Sequence, residues 1–240
     1  LPDIFLYKPM YMDGRLLGYT CAMSHHTDIG GRVAGGNACD STEIYQEGLR
    51  IPPLKLYEKG VPNETLFRLL EKAVRVPDKV LGDITGNIAS LHYGEKEYGL
   101  LVKRHGLEQL EGYVEELLDY TETLTRRTIQ TMPDGEWTFT DHIDSDGIDH
   151  KPIAIVATLK KSDDQLYLDF DGTSPQCKGA IQPVMATTRS ISFAVLKCVM
   201  GAMGVDVPNT AGYFRPMLVT APHGTFVNPL PPAPVAARTL

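Results

Sequence analysis

The chain has 240 residues and a formal net charge of −7, with 42% hydrophobic and 22% charged residues. This balance is typical of a packed soluble protein and excludes a disordered chain. No run of Lys and Arg forms a basic stripe, so nucleic acid is not an expected partner. The best apolar run, residues 191–205, is interrupted by Lys197 and is shorter than the roughly 20 residues of a membrane-spanning helix, so no membrane partner is expected.

The cysteines and the chain ends bear on where the protein works. Cys21, Cys39, Cys177 and Cys198 are far apart and form no C-x-x-C pair, which favours free thiols and a cytoplasmic location. The first residues lack the basic region and the cleavage site of a signal peptide. No initiator Met opens the chain and no clear element closes it, so we expect an internal fragment of a longer polypeptide.

The first quarter of the chain is predicted to form a β-hairpin followed by a long loop. Segments 4–7 and 16–21 have the composition of strands, and Asp13-Gly14 between them is a strong hairpin signal. Residues 26–50 are rich in Gly, Asn, Asp and Ser, which predicts a loop. Loops of this length are often functional.

A helical block is predicted next, after a short strand at residues 51–57. Apolar residues recur at helical spacing from Asn63 onward, and Pro77 either breaks this helix or begins the next one. The helical spacing continues to residue 104, with Gly106 as a C-terminal cap. Residues 107–131 form a third predicted helix with one apolar face.

The remainder is predicted to be rich in β-strands. Residues 185–203 are small and apolar, which predicts one buried helix in this part. The chain is therefore predicted to have an α+β fold, with a hairpin and loop, a central helical block and a β-rich end. The expected strands lie at 137–139, 153–159, 166–170 and 214–220, and the three parts are 1–60, 61–132 and 133–240.

Two histidines and an aspartate stand together at the start of the long loop. His25, His26 and Asp28 suit a divalent metal ion of the Zn, Mn or Fe kind. The glycines at 30 and 31 permit backbone conformations that let a loop fold tightly around a site. For a His-His pair alone, a polar turn with incidental histidines is the more common explanation. A third candidate ligand, Asp3, shifts the balance towards a metal site.

Hairpin geometry leaves two registers for Asp3. A two-residue loop at Asp13-Gly14 places Asp3 opposite Ser24, on the same face as His26. A three-residue loop that includes Met12 places Asp3 opposite residue 23, on the same face as His25. In either register, diagonal neighbours at roughly 7–8 Å between Cα atoms are close enough for two side chains to bind one ion.

Eight segments occur in order along essentially the whole chain. They are Leu-Pro-Asp at 1–3, Ser-His-His-Thr-Asp-Ile-Gly-Gly at 24–31, the stretch 41–53, Leu-Gly-Asp-Ile at 81–84, Asp-Gly at 134–135, Asp-Phe-Asp-Gly-Thr-Ser-Pro-Gln at 169–176, Asn-x-Ala-Gly-x-Phe-Arg-Pro at 209–216 and Val-Ala-Ala-Arg-Thr at 235–239. Together they resemble the hydantoinase B/oxoprolinase family, which includes N-methylhydantoinase, 5-oxoprolinase and the related acetone and acetophenone carboxylases. Each segment is weak alone, and the set is specific.

The resemblance implies a metal site. Family members usually carry a His immediately before the Leu-Pro-Asp triplet, and that His, the triplet's Asp and the first His of the His-His pair are the implied ligands. Here they correspond to a residue that precedes the chain, to Asp3 and to His25, which favours the three-residue hairpin loop. The fragment would then lack one ligand. His26 and Asp28 become candidates for orienting the ligands or for a general base, with a purely structural role equally open.

The resemblance also implies a reaction in two parts. A kinase-like partner of the hydantoinase A type uses ATP to phosphorylate the carbonyl oxygen of a small cyclic amide or ketone. The metal-bearing subunit then completes the reaction, with water attacking the carbon in the hydrolases and an enolate attacking carbon dioxide in the carboxylases. A divalent metal suits both reactions. The chain has no G-x-x-x-x-G-K-[ST] loop, consistent with use of ATP by the partner.

Further polar residues are weaker candidates. Glu43 and Glu47 are four apart and could share a helical face; Glu43 is a candidate catalytic group, and a solvated turn is at least as common for such a pair. Arg50 could bind a carboxylate or phosphate as a fork, although a surface ion pair is the commoner arrangement. Asp83 and Asn87 are one helical turn apart among apolar residues, so they are predicted to attach their helix to the loop at 26–50.

Three functions remain open from the sequence. The first is a metal-dependent catalytic subunit of an ATP-dependent hydrolase of cyclic amides, and the stretch 43–53 slightly favours it because it looks more like bacterial hydantoinase B than 5-oxoprolinase. The second is an ATP-dependent ketone carboxylase subunit that uses the same site. The third is a catalytically silent structural fragment.

Overall fold

The computed structural model describes residues 3–237 and begins with the predicted β-hairpin. Strands β1 (Asp3–Met12) and β2 (Arg15–His25) pair in antiparallel fashion. The turn residues Asp13 and Gly14 both have positive φ, at 49° and 80°. Type I′ turns require this conformation at both central residues, and Asp-Gly adopts it readily. The hairpin and its turn are therefore confirmed.

The register of the hairpin is neither of the two that the sequence allowed. Met12 pairs with Arg15, so the loop has two residues and the favoured three-residue loop is wrong. The register then shifts between Met10 and Tyr11, where β2 contains one extra residue. An extra residue on one strand is a β-bulge, which moves every later pair by one position. Asp3 consequently lies directly opposite His25.

The segment after the hairpin is irregular for most of its length. It contains one 3-10 turn at Ile44–Gln46 and ends in a two-residue ribbon of β3 (Tyr57–Glu58) and β4 (Val61–Pro62). The long loop at 26–50 is as predicted, whereas the strand predicted at 51–57 is wrong. Two consecutive prolines at 52 and 53 have no N–H to donate to a strand ladder.

Three helices follow as the sequence predicted. Helix α1 (Glu64–Ala73) begins at Asn63, whose side chain accepts a hydrogen bond from the Leu66 N–H. Helix α2 (Pro77–His105) has its proline in the first turn, where a missing N–H costs nothing. Gly106, with φ of 80°, separates α2 from α3 (Leu107–Gln130).

The C-terminal part contains a four-stranded sheet and one helix. The strand order is β5-β6-β7-β8, with antiparallel pairing except for the parallel pair β7 and β8. The late strand starts at residue 217 rather than 214, because residues 211–214 form a 3-10 turn. The elements are β5 (Gly135–Ile143), β6 (Ile153–Ser162), β7 (Gln165–Asp169), α4 (Met185–Ala202) and β8 (Met217–Thr220).

Helix α4 was predicted to be buried, and only one of its faces is. Thr188, Ser192, Leu196 and Met200 are buried at helical spacing. Ile191 and Val195, on the other side, are 57% and 56% exposed. Periodicity could not show this division, because the exposed face is apolar while the buried face includes the hydroxyl residues Thr188 and Ser192.

Hydrophobic clusters connect the three predicted parts. The first cluster joins Ile4 and Leu6 of the hairpin to Leu70 of α1 and Ile84 of α2. The second places Ile129 of α3 against residues of β7 and α4. The clusters thus cross the predicted boundaries at 60 and 132, and the α+β class is confirmed. None of the helices between residues 3 and 237 combines the length and the apolar character of a membrane-spanning segment.

The C-terminal part contains a buried polar cluster around Asp146 and Gln182, which we call the Asp146 cluster. The Asp146 carboxylate accepts hydrogen bonds from four backbone N–H groups, those of Ile148, Asp149, Lys178 and Gly179. The fully buried Gln182 side chain lies close by; it accepts from the Cys177 N–H and donates to three carbonyl oxygens. Its polar atoms are therefore all satisfied, as buried groups in native proteins usually are.

Candidate functional site

The hairpin brings Asp3 and His25 together. Asp3 opens β1 and His25 closes β2, and they are directly opposed. The Asp3 Oδ1 and His25 Nδ1 atoms are 3.7 Å apart, with 23% and 54% of the two side chains exposed. This separation is longer than a hydrogen bond. Both side chains thus face one site while keeping their donor atoms free of each other.

His26 lies on the other side of the strand end, inside the protein. The residue is 1% exposed, and its Nδ1 atom has no hydrogen-bond partner. That atom faces Asp83 Oδ2 of α2 at 3.8 Å. The other ring nitrogen, Nε2, lies 3.4 Å from the Ser24 hydroxyl. One nitrogen of a buried imidazole is therefore left open towards a carboxylate.

Helix α2 holds this arrangement from one side. Asn87 donates a hydrogen bond of 2.8 Å from Nδ2 to the Ser24 hydroxyl, and Asp83 lies one turn earlier on α2. Burial lowers the pKa of the His26 imidazole and outweighs the raising influence of the Asp83 and Asp3 carboxylates. His26 is therefore neutral near pH 7. Asp83 thus faces the loop at His26, as predicted, whereas Asn87 contacts Ser24 of β2, just before the loop.

Asp28 is fully buried, and its oxygens are occupied. Oδ1 accepts from the Arg75 guanidinium at 2.7 Å and from the Gly30 N–H at 3.0 Å, and Oδ2 accepts from the Arg75 N–H. Burial raises the pKa of Asp28, but these hydrogen bonds outweigh it and hold the pKa below its usual value. The bonds favour a structural role, and the catalytic role of Asp28 stays a prediction.

Arg75 is the residue that sequence reasoning missed at this site. It lies in the short connection between α1 and α2, and it also donates to the Gly31 carbonyl. A single Arg at a helix junction carries no sequence signal that distinguishes it from a surface residue. Its partner Asp28 lies 47 positions earlier, so only the fold brings the pair together.

The two glycines of the motif permit a close approach of the loop to its neighbours. Gly30 and Gly31 have φ of 82° and 78°, in the left-handed region. A Cβ on Gly30 would lie 2.6 Å from the Ala73 carbonyl oxygen, and one on Gly31 would lie 2.6 Å from that of Gln46. Both positions therefore exclude a side chain, as the predicted tight loop requires.

The weaker candidates lie further along the loop. Glu43 is exposed and precedes the 3-10 turn, and within residues 3–237 no hydrogen bond or ion pair joins it to Asp3, His25 or His26. Its catalytic role stays a prediction. Glu47 accepts hydrogen bonds from the N–H groups of Val235 and Ala236, at 2.6 and 2.8 Å, so it attaches the C-terminal segment to the loop.

A large apolar groove runs beside β1. It has a volume of about 1400 Å³, and Asp3 is one of its lining residues. Other lining residues come from β1, from residues 47–60 and from helices α1 and α2. Arg50 is another lining residue, and its guanidinium lies over the Tyr45 ring, 5.6 Å from its centre. Asp3 is therefore accessible from a cavity large enough for a small cyclic substrate.

The donor atoms at Asp3 and His25 fit a metal ion only in part. A carboxylate oxygen and an imidazole nitrogen suit Zn, Mn or Fe, and two ligands of one such ion lie about 3.3–4.0 Å apart when bonds of roughly 2.0–2.2 Å meet at about 110–130°. The 3.7 Å between Asp3 and His25 agrees with this geometry. In the described part of the chain no group of three His, Cys, Asp or Glu side chains is placed to hold an ion.

Comparison with known proteins decides the family. The hydantoinase B/oxoprolinase family model matches residues 1–240. The chain is a member of the hydantoinase B/oxoprolinase family. A protein assigned as one subunit of the D-/L-hydantoinase of Pseudomonas sp. (strain NS671) is 33% identical over 99% of the chain. The chain spans 42% of that relative, so it corresponds to less than half of a curated family member.

Two solved structures share the fold. The crystal structure of the ATP-dependent caprolactamase from Pseudomonas jessenii superposes with a TM-score of 0.87 and 31% identity, over 98% of this chain and 40% of that one. A nucleotide-free acetone carboxylase structure gives a TM-score of 0.85 at 17% identity, over 99% of this chain and 32% of that one. At that identity the likeness to acetone carboxylase shows the fold alone.

Proposed function

We propose that the chain is part of the metal-dependent catalytic subunit of an ATP-dependent enzyme that hydrolyses cyclic amides. The observation that carries the proposal is the pairing of Asp3 with His25 at the end of the hairpin, beside the apolar groove. Membership of the hydantoinase B/oxoprolinase family and the likeness to an ATP-dependent caprolactamase support this kind of reaction.

Asp3 and His25 would hold the divalent ion, of the Zn, Mn or Fe kind. Such an ion stabilises negative charge on a carbonyl oxygen and lowers the pKa of bound water. The Asp28–Arg75 ion pair and the close approach of Gly30 to Ala73 hold the start of the loop against the end of α1, so the backbone that carries His25 is held in place beside β1. Fixed donors are what such chemistry needs, because small displacements at a reacting centre cost large factors in rate.

ATP would act in a second subunit. We propose a kinase-like partner of the hydantoinase A type that phosphorylates the substrate carbonyl before the present chain completes the reaction. The relative from Pseudomonas sp. supports a partner, since its name denotes one of several hydantoinase subunits. The four cysteines are free thiols, and we place the reaction in the cytoplasm on that ground.

The test is product analysis on the protein purified with its partner, with ATP and hydantoin, 5-oxoproline or caprolactam as substrates. Asp3→Asn and His25→Gln should each lower ring opening at least about 100-fold, because they remove groups that support charge in the transition state. His105→Gln, at the far end of α2, is the control and should keep the wild-type rate.

Three other outcomes would contradict this function. Carbonate-dependent ATP turnover with a ketone and a carboxylated product would replace hydrolysis by carboxylation. Unchanged ring opening in the folded Asp3→Asn and His25→Gln variants would remove the metal site from the reaction. Absence of any ATP-dependent product with all of the substrates would favour a structural role for the chain.

A further inference from the structure

His26 and Asp83 form a second pair of donor atoms that the proposed reaction does not use. His26 Nδ1 is buried, has no hydrogen-bond partner and faces Asp83 Oδ2 at 3.8 Å. A buried polar atom without a partner costs about 1–3 kcal/mol, and native proteins contain few of them. The open nitrogen therefore points to a bound species that fills the gap to Asp83.

The distance between the two atoms suits a cation. Bonds of roughly 2.0–2.2 Å to nitrogen and oxygen, at angles of about 110–130°, place two ligands of one ion about 3.3–4.0 Å apart. A direct hydrogen bond between a ring N–H and a carboxylate would be about 2.7–3.2 Å long. The Asp83 side chain is 48% exposed, so solvent can supply the remaining ligands from the open side.

This pair is distinct from the one formed by Asp3 and His25. His25 is half exposed and meets a residue of β1, whereas the His26 side chain is fully buried and meets a residue of α2. Within residues 3–237 no three potential ligands are arranged around one point, so the two pairs do not merge into a single site. We propose that His26 Nδ1 and Asp83 Oδ2 bind a divalent cation of their own, which attaches the start of the long loop to α2.

The experiment uses the protein purified as for the activity test, with Zn²⁺ as the only added ligand. Equilibrium dialysis should show that Asp83→Ala and Asp83→Asn weaken one Zn²⁺ site at least about tenfold, which is already the effect of losing an outer-shell partner. Glu97→Gln is the matched control: it removes an exposed carboxylate on the same helix, about 21 Å further along the axis at 1.5 Å per residue. This variant should bind Zn²⁺ like the wild type.

A direct measurement accompanies the variants. In two-bond ¹H–¹⁵N spectra, Zn²⁺ should shift the Nδ1 resonance of His26 in the wild type and leave it in place in Asp83→Ala. Binding to the folded state alone also raises the unfolding temperature, so Zn²⁺ should stabilise the wild type more than this variant. An unchanged Zn²⁺ affinity in both Asp83 variants, with an unshifted His26 resonance, would overturn the proposal and leave a water molecule in the gap.

The outcome is separable from that of the proposed function. Loss of a Zn²⁺ site in Asp3→Asn and His25→Gln, with none in the Asp83 variants, would leave the proposed function standing and remove the second site. Loss of a Zn²⁺ site in the Asp83 variants alone would support the second site and remove the metal site of the proposed function. The Asp83 variants should keep the metal-free unfolding temperature, since half of that side chain is already exposed.

Discussion

Two regions of the molecule contain fully buried polar groups, and they differ in whether all of those groups have hydrogen-bond partners. Around Asp146 every polar atom has a partner, with four N–H groups on the carboxylate and four bonds on the neighbouring Gln182. At the start of the long loop Asp28 is equally satisfied, while His26, two residues earlier, keeps an open nitrogen. Satisfied polar groups stabilise the fold, whereas the open His26 nitrogen is the atom at which we propose that a cation binds.

Breaking the Asp28–Arg75 pair should have the largest effect on stability. Asp28→Ala leaves the Gly30 and Arg75 N–H groups and the guanidinium without their shared acceptor. The Arg75 side chain is 47% exposed and can turn to water, so the loss comes mainly from the two N–H groups, at about 1–3 kcal/mol each, which urea unfolding would detect. Asp40→Asn, in the exposed pair with Arg32, is the control and should shift the midpoint little. Equal shifts in the two variants would contradict the structural role of Asp28.

Filling the space at Gly30 should have the next largest effect on the free energy of unfolding. Gly30→Ala combines a strained positive φ with a Cβ placed 2.6 Å from the Ala73 carbonyl oxygen, so we expect a loss of about 2–4 kcal/mol. Gly60→Ala has nearly the same φ, at 81°, and nothing within 4 Å of the added Cβ, so about 1 kcal/mol is expected. Thermal unfolding of both variants measures the difference, and equal losses would show that the close approach at Gly30 contributes nothing.

Acid should weaken the Asp146 cluster. Burial raises the pKa of Asp146, but its four backbone hydrogen bonds outweigh this and hold the pKa below the ordinary value. The folded state therefore gains stability from this carboxylate above the unfolded pKa of about 3.9, and loses it as the pH falls through the folded pKa. Asp146→Asn should show a shallower loss of unfolding free energy below about pH 4 than the wild type. A loss as steep as that of the wild type would contradict the assignment.

The smallest effect concerns thiol chemistry in the same cluster. Burial, followed by the charge of Asp146, raises the pKa of Cys177 to about 11, so about one thiol in a thousand is ionised at pH 8. Iodoacetamide labelling followed by mass spectrometry should modify Cys177 far more slowly than the exposed Cys21, Cys39 and Cys198. Labelling of all four at one rate would show that the cluster opens readily.

The sequence predicted those elements whose signals are local. The Asp-Gly turn, the start of a helix at Asn63, Pro77 in the first turn of α2 and Gly106 between two helices each leave a signature in adjacent residues, and each lies where it was expected. The strand predicted at 51–57 is wrong because the two prolines inside it prevent the ladder that its apolar composition indicates. Helix α4 was predicted as buried because composition does not show which face is covered.

The site was only partly predictable for the same reason. Only the family resemblance pairs Asp3 with His25 from the sequence. The bulge that places the two residues opposite each other has no marker in the sequence. The contacts of Asp28 with Arg75 and of His26 with Asp83 join residues 47 and 57 positions apart. Such pairs are fixed by the packing of α1 and α2 on the hairpin, which a single sequence does not record.

The bulge in the hairpin has a consequence for how family members can differ in length. A bulge-free ribbon with the same two-residue turn would set Asp3 against Ser24 and turn His25 to the opposite face. The one extra residue near the turn therefore sets which residues are paired at the far end of the hairpin. Substitutions in the hairpin should be tolerated much more readily than insertions or deletions, because a change of one residue in strand length changes which residue lies opposite Asp3.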